Sequence, residues 1–125
     1  MLRAGLIVFV LLCTPFLQLK AAVELSPACT VIYSLQRSAQ QYFIDETTSL
    51  SEQLIQQNIG LIDLNNWYER PPFVAISGRE RSQLREQYQL PVNQNQAVVV
   101  DSNGREISRI TGSVTLVDAI LSCPA

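Results

Sequence analysis

Histidine is absent from the 125-residue chain, which removes His-based catalytic triads and ordinary His metal sites from consideration. Long hydrophobic runs are missing too. Residues 4–17 form the main apolar stretch, but about 14 residues broken by Cys13, Thr14 and Pro15 fall short of the roughly 20 that span a membrane. Basic charge is scarce: nine Lys and Arg against eleven Asp and Glu give a net charge of −2. That balance does not suit nucleic acid, where affinity depends on neutralising phosphates. No internal repeat, low-complexity tract or CxxC pair occurs. Carboxylates, arginines and three cysteines are what remain for chemistry.

The N-terminus has a recognisable layout. Arg3 precedes the apolar run and the small residues Ala21 and Ala22 follow it, as in a secretory signal peptide. The expected division is a signal peptide over residues 1–22 and one domain over residues 23–125, long enough for one modest core. Cys13 does not read as a lipidated cysteine, because Leu12 stands where a small residue belongs. Without Arg3 and Lys20, seven arginines face eleven acids, a net charge of −4. Such a product is expected in the periplasm or outside the cell, free of membrane and of nucleic acid.

Residues 29–33 (CTVIY) form a β-branched and aromatic run, the first expected strand. The polar residues 34–41 (SLQRSAQQ) read as the loop at its exit. Phe43, Ile44, Leu50, Leu54 and Ile55 then predict a helix over residues 42–58. The Thr47-Thr48-Ser49 cluster could instead delay its start to Ser49, which forms a capping-box pattern with Glu52. Residues 60–64 (GLIDL) read as a second strand, and two strands joined through a helix imply a parallel βαβ unit. Residues 65–72 (NNWYERPP) are turn-rich, and residues 73–76 (FVAI) are either an extra strand or a buried extended segment.

Ser77 with Glu80 is a second capping box, opening a helix through Tyr88 with Leu84 and Tyr88 on one side. Residues 97–100 (AVVV) fit a strand buried on both faces, Asn103-Gly104 a tight turn, and residues 106–110 the return strand. After Gly112, with Ser113 or Thr115 as cap, Leu116, Val117, Ile120 and Leu121 predict one apolar stripe of a closing helix.

The order β-α-β-(α)-β-β-α, with LREQY, AVVV, DSNG, TGS and VTLVDAIL in succession, resembles the thioredoxin-like superfamily over nearly all of residues 23–125. Within it the chain is similar to small exported bacterial proteins that lack CxxC. The resemblance implies an α/β, three-layer thioredoxin-like sandwich: a mixed four-stranded sheet with a βαβ half, a β-hairpin and a closing helix. Catalytic members carry CxxC after the first strand, where a helix N-terminus lowers a thiol pKa. Residues 34–41 hold no cysteine. Those members also carry a cis-proline just before the strand that AVVV matches, and Gln96 stands there instead. The implied function is a non-catalytic exported domain that binds a protein or small ligand, with no cofactor and no metal. The alternative is a degenerate thiol oxidoreductase working through one remaining cysteine.

Two surfaces stand out as candidates. Trp67, Tyr68 and Phe73, with Pro71 and Pro72 between them, would suit another exported protein, because aromatics dominate interface hot spots. Folded onto the sheet edge, they would be ordinary packing. Arg37 and Ser38, with Gln96, form a candidate ligand loop for a small anion, since α/β folds bind ligands beyond the C-terminal ends of parallel strands. Arg79, Arg81 and Arg85, among Glu80 and Glu86, read as a solvated helix face. Asp45, Glu46 and Glu52 read as helix-start acids rather than a metal site.

Cys29 and Cys123 form an even pair in an apparently exported chain, first read as a disulfide. In the fold that the resemblance implies, Cys29 opens the first strand and Cys123 follows the closing helix at the same pole. A structural disulfide closing nearly the whole domain is therefore expected.

Overall fold

The first strand carries the architecture, because it is buried on both faces along its whole length. The computed structural model describes residues 27–124, so the expected signal peptide lies outside the described residues. The elements are β1 (Cys29–Ser34), α1 (Arg37–Gln56), β2 (Ile59–Asp63), α2 (Gly78–Gln87), β3 (Gln96–Asp101), β4 (Glu106–Thr111) and α3 (Leu116–Ser122). They build an α/β fold on a mixed sheet ordered β2-β1-β3-β4. β1 and β2 are parallel, with Val31 beside Leu61 and Tyr33 beside Asp63. β3 is antiparallel to β1 and to β4, so β4 runs parallel to β1.

Side chains alternate between the two faces of a strand. Val31, Tyr33, Leu61 and Val99 meet Phe43 and Leu54 of α1 and Leu116 and Ala119 of α3 on one face. Ile32, Ile62, Val98 and Val100 meet Leu84 and Tyr88 on the other, around α2. A strand covered on both sides must be apolar at consecutive positions, and that accounts for residues 97–100.

α1 departs from the sequence expectation. It begins at Arg37, so residues 37–41 are helical turns rather than a loop, and Ser49 lies inside the helix. No Ser49–Glu52 capping box forms; Ser49 Oγ donates to Asp45 O one turn back (3.1 Å). The reason is the buried row Phe43, Thr47 and Leu54, which keeps one helical period through the Thr-Thr-Ser cluster. Thr47 is tolerated there because its hydroxyl donates to Phe43 O (2.9 Å). Asn58, just past the helix, takes φ 56°, the left-handed conformation that ends many helices.

The Ser77–Glu80 capping box does form, with both reciprocal bonds present. α2 closes on a Schellman turn: Leu90 N donates to Arg85 O (3.0 Å) and Gln89 N to Glu86 O (3.4 Å), with Gln89 at φ 53°. Residues 73–76 prove to be an extended segment with a single parallel bridge, Leu61 to Phe73. Leu61 N donates to Pro72 O and Val74 N to Leu61 O, which covers the outer edge of β2. Gly60 is required at that edge, because a Cβ would meet Pro27 Cγ at 2.6 Å and Val74 Cγ2 at 2.8 Å.

The hairpin turn places only Gly104 at positive φ (81°), and Asp101 Oδ1 accepts from Asn103 N and Arg105 N (both 2.9 Å). α3 starts at Thr115, whose hydroxyl accepts from Asp118 N, while Glu46 of α1 accepts from Leu116 N (2.9 Å). The expected apolar stripe is corrected here. Leu116 and Ala119 are buried, but Val117 and Leu121 are 48% and 78% exposed, since the helix faces the sheet through the 116/119/120 side.

A disulfide joins Cys29 and Cys123, with Cα atoms 5.9 Å apart and a sequence separation of 94. That spacing lies inside the range a bridge requires.

Candidate functional site

Loops at the C-terminal ends of parallel strands are the usual ligand positions of an α/β sheet. Here β1 and β2 end at Ser34 and Asp63. Asp63 faces α1 and is 4% exposed. Its Oδ1 accepts from the backbone N–H of Asn65 (2.8 Å) and Asn66 (3.0 Å), which turns the chain sharply out of β2. Its Oδ2 accepts from Gln40 Nε2 of α1 (2.8 Å) and from Asn66 Nδ2 (3.5 Å). Burial raises the Asp63 pKa above its ordinary value, and the donated hydrogen bonds oppose that shift.

Tyr33 lies beside Asp63 in the sheet, its ring tilted 44° against that of Phe43 with centroids 4.3 Å apart. Its buried hydroxyl has no hydrogen-bond partner among the described residues. Burial first, and the Asp63 charge second, push its pKa strongly upward. Tyr68 is shifted upward for the same two reasons, in the same order. Both phenols therefore stay neutral across ordinary pH.

Arg85 holds the opposite face of the same pole, and the expectation of a solvated arginine is corrected. One guanidinium nitrogen donates to Ser34 Oγ (3.1 Å) and Leu90 O (2.9 Å). The other donates to Leu64 O (2.9 Å) and Asn65 Oδ1 (2.8 Å). Burial lowers its pKa, with Arg81 repulsion adding to this and Asp63 acting against it. An arginine stays charged under such a shift. Asn65 links the two faces, because its Nδ2 donates to Leu35 O (2.8 Å) and Ser34 Oγ (3.3 Å) while its backbone reaches Asp63. Pattern reading missed this knot. Its bond between Ser34 and Arg85 spans 51 positions of the chain, and only the adjacent Asn65-Asn66 pair after Asp63 hinted at it.

The expected ligand residues share this pole without converging. Arg37 and Ser38 occupy the exposed first turn of α1. Gln96 opens β3 opposite Ser34, but its amide is bound to Gln94 (3.1 Å) and Arg109 (3.0 Å). Arg109 also pairs with Glu106 (3.0 Å). The loop that closes over the start of α1 uses Asn95, whose Oδ1 accepts from Gln36 N (2.7 Å).

The aromatic cluster divides. Trp67 is 60% exposed, while Tyr68 and Phe73 stack at 4.3 Å with 27° between their planes, and Phe73 adjoins the core. Tyr68 separates two hollows. One, of about 250 Å³, is bounded by Arg37, Gln40, Gln41 and Asn66. The other, of about 340 Å³, lies between α1 and residues 69–73. A wider, shallow depression of about 600 Å³ beside Leu90, Pro91 and Val92 is mostly apolar, and the Arg85 donors near it are already engaged.

Among the described residues, no group of three or more His, Cys, Asp or Glu side chains is placed to hold a metal ion. No described helix is long and apolar enough to cross a membrane. No protein-family model, curated protein or solved structure matches the chain.

Proposed function

We propose that the protein is an exported, non-catalytic domain of thioredoxin-like type that binds a protein or small ligand through the loop around Tyr68. The observation that carries this reading is the separation of thiols from the expected site. The exit of β1 and the first turn of α1, where a catalytic relative keeps its CxxC, present Gln36, Arg37, Ser38 and Gln40. Both described cysteines are bonded to each other at the far end of the sheet. The element order and the return strand parallel to β1 support the thioredoxin-like assignment. The Arg3-led apolar run supports export. The half-buried Tyr68 and exposed Trp67 beside two hollows support binding.

The alternative oxidoreductase would first have to open the Cys29–Cys123 bond, since no described cysteine is free. Alkylation of unreduced, exported protein followed by intact-mass measurement tests both parts. The expected product begins near Ala22 or Val23, takes up no alkylating agent and does not reduce insulin. Retention of residues 1–17, a labelled cysteine or insulin turnover above the uncatalysed rate would overturn the proposal.

A further inference from the structure

The hollow between α1 and residues 69–73 has one wall of one-sided hydrogen-bonding chemistry. Its helix wall consists of Thr47, Thr48 and Ser51. Each hydroxyl donates its proton to a helix carbonyl: Thr47 to Phe43 O (2.9 Å), Thr48 to Ile44 O (3.2 Å) and Ser51 to Thr48 O (3.4 Å). A hydroxyl has one proton and two lone pairs, so this wall offers acceptors only. The opposite wall includes Pro71 and Pro72, which have no N–H, and Phe73, whose N–H is taken by Arg70 O (3.0 Å). Glu69 adds a carboxylate at the rim, and the stacked Tyr68–Phe73 pair adds aromatic surface. The Asp63 charge also acts on Tyr68 electrostatically. Arg70 is the one cation lining the hollow.

We propose that this cleft binds an organic cation bearing N–H donors, an ammonium or guanidinium group, between the hydroxyl wall and the Tyr68–Phe73 pair. The inference rests on the proposed binding role of the Tyr68 loop and adds the ligand class. Electron-rich ring faces attract cations. Hydroxyl oxygens left with accepting capacity favour a cation with N–H groups over one without them. A cleft of about 340 Å³ accommodates one such group with a short stem. The same chemistry is presented by a free amine or by a basic side chain on a peptide.

The test is a chemical-shift titration of the ¹⁵N-labelled, disulfide-intact protein. Four probes are compared: agmatine, N-acetyl-arginine amide, tetramethylammonium and N-acetyl-glutamate amide. Saturable shifts confined to residues 47–51 and 68–73 are expected with the first two. Tetramethylammonium is expected to bind about tenfold more weakly, and the glutamate derivative not at all. Glu69→Gln and Thr48→Val, both at exposed positions, should weaken binding severalfold, and Arg70→Ala should tighten it. Tighter binding of N-acetyl-arginine amide than of agmatine would assign the cation to a peptide, and the reverse order to a free amine. Equal binding of tetramethylammonium or of the glutamate derivative would overturn the ligand class while leaving the loop a binding site. Shifts scattered over the acidic surface and abolished by moderate salt would overturn the cleft itself. Silence with all four probes would overturn the cleft as a cation site while leaving the loop's proposed protein binding to its own test.

Discussion

The two ends of the sheet are held by different means. At the start of β1 a single covalent bond, Cys29 to Cys123, ties the first strand to the end of the last helix. At the other end of β1, Asp63, Asn65 and Arg85 gather loops from four parts of the chain through hydrogen bonds alone. The covalent end leaves an unpaired polar group in place: Thr30 Oγ1, next to the disulfide, is buried without a partner. At the other end the knot's own side chains are paired, while the Tyr33 hydroxyl and Arg81 Nε, one helical turn from Arg85, are buried without a partner among the described residues. A cross-link restricts the chain wherever its two cysteines meet, whatever its neighbours do. A buried polar knot holds only if its members are satisfied together.

Breaking the covalent end should have the larger effect. With the cysteines separated by 94 positions, the chain-entropy argument gives an upper loss of about 4–5 kcal/mol for the Cys29→Ala/Cys123→Ala variant. That is comparable to the total of roughly 5–15 kcal/mol that small domains possess. Urea unfolding of the variant beside the oxidised parent measures it. A loss below about 1 kcal/mol would mean that the bond contributes little to the unfolded chain's restriction.

The knot should come second. Arg85→Met keeps the aliphatic stem but leaves Leu64 O, Leu90 O and Asn65 Oδ1 without the donors they now receive. Unpaired buried groups cost about 1–3 kcal/mol each, though Arg85 is only partly buried and water can reach some of them. A loss of about 3 kcal/mol is expected, with Arg85→Lys between the two because an ammonium cannot reproduce the fork. Equal stability of Arg85→Met and parent in urea would show the guanidinium to be ornamental.

The same contrast explains what was legible beforehand. The strands, the helix after Ser77 and the hairpin rest on residues close together in sequence, so period and turn chemistry expose them. The disulfide was readable because cysteines are few and the element order sets their pole. Capping boxes show where local reading fails. Ser77–Glu80 and Ser49–Glu52 have the same spacing, but only the first stands at a chain end of a helix. The second lies inside a helix already fixed by Phe43 and Leu54. Arg37 and Ser38 read as loop residues because exposed helical turns and loops share the same polar composition. Arg85 reads as a solvated arginine for a related reason. Nothing near it in sequence shows that Ser34, Leu64 and Leu90 close around it. Neither the Tyr68–Phe73 stack nor the acceptor wall of α1 could be read, since both depend on how the 66–73 segment folds back.

The smallest expected effect sharpens the comparison by asking whether the knot needs a charge at all. Asp63 is surrounded by Tyr33 of β1, Gln40 of α1, and Asn65, Asn66 and Tyr68 of the following loop; Arg85 acts on it only at longer range. Its pKa in the folded protein is raised, first by burial, above the ordinary value of 3.8. A raised pKa means that the folded state binds the proton more readily than the unfolded chain. This group's contribution to stability is therefore fully present below about 3.8 and is lost as pH rises through the folded pKa. Asp63→Asn keeps an oxygen for the two backbone N–H groups, and the amides of Gln40 and Asn66 can turn an oxygen toward the new NH₂. The variant should lie within about 1 kcal/mol of the parent at pH 7, because a carboxylate's stronger hydrogen bonds and its desolvation cost are lost together. Its advantage over the parent should be largest at neutral pH and shrink on acidification, as the parent gains the proton that the variant never needs. Paired urea unfolding at pH 7 and pH 4 measures that difference. A gap that widens toward acid would mean that the carboxylate is stabilised by its donors more than it is penalised by burial.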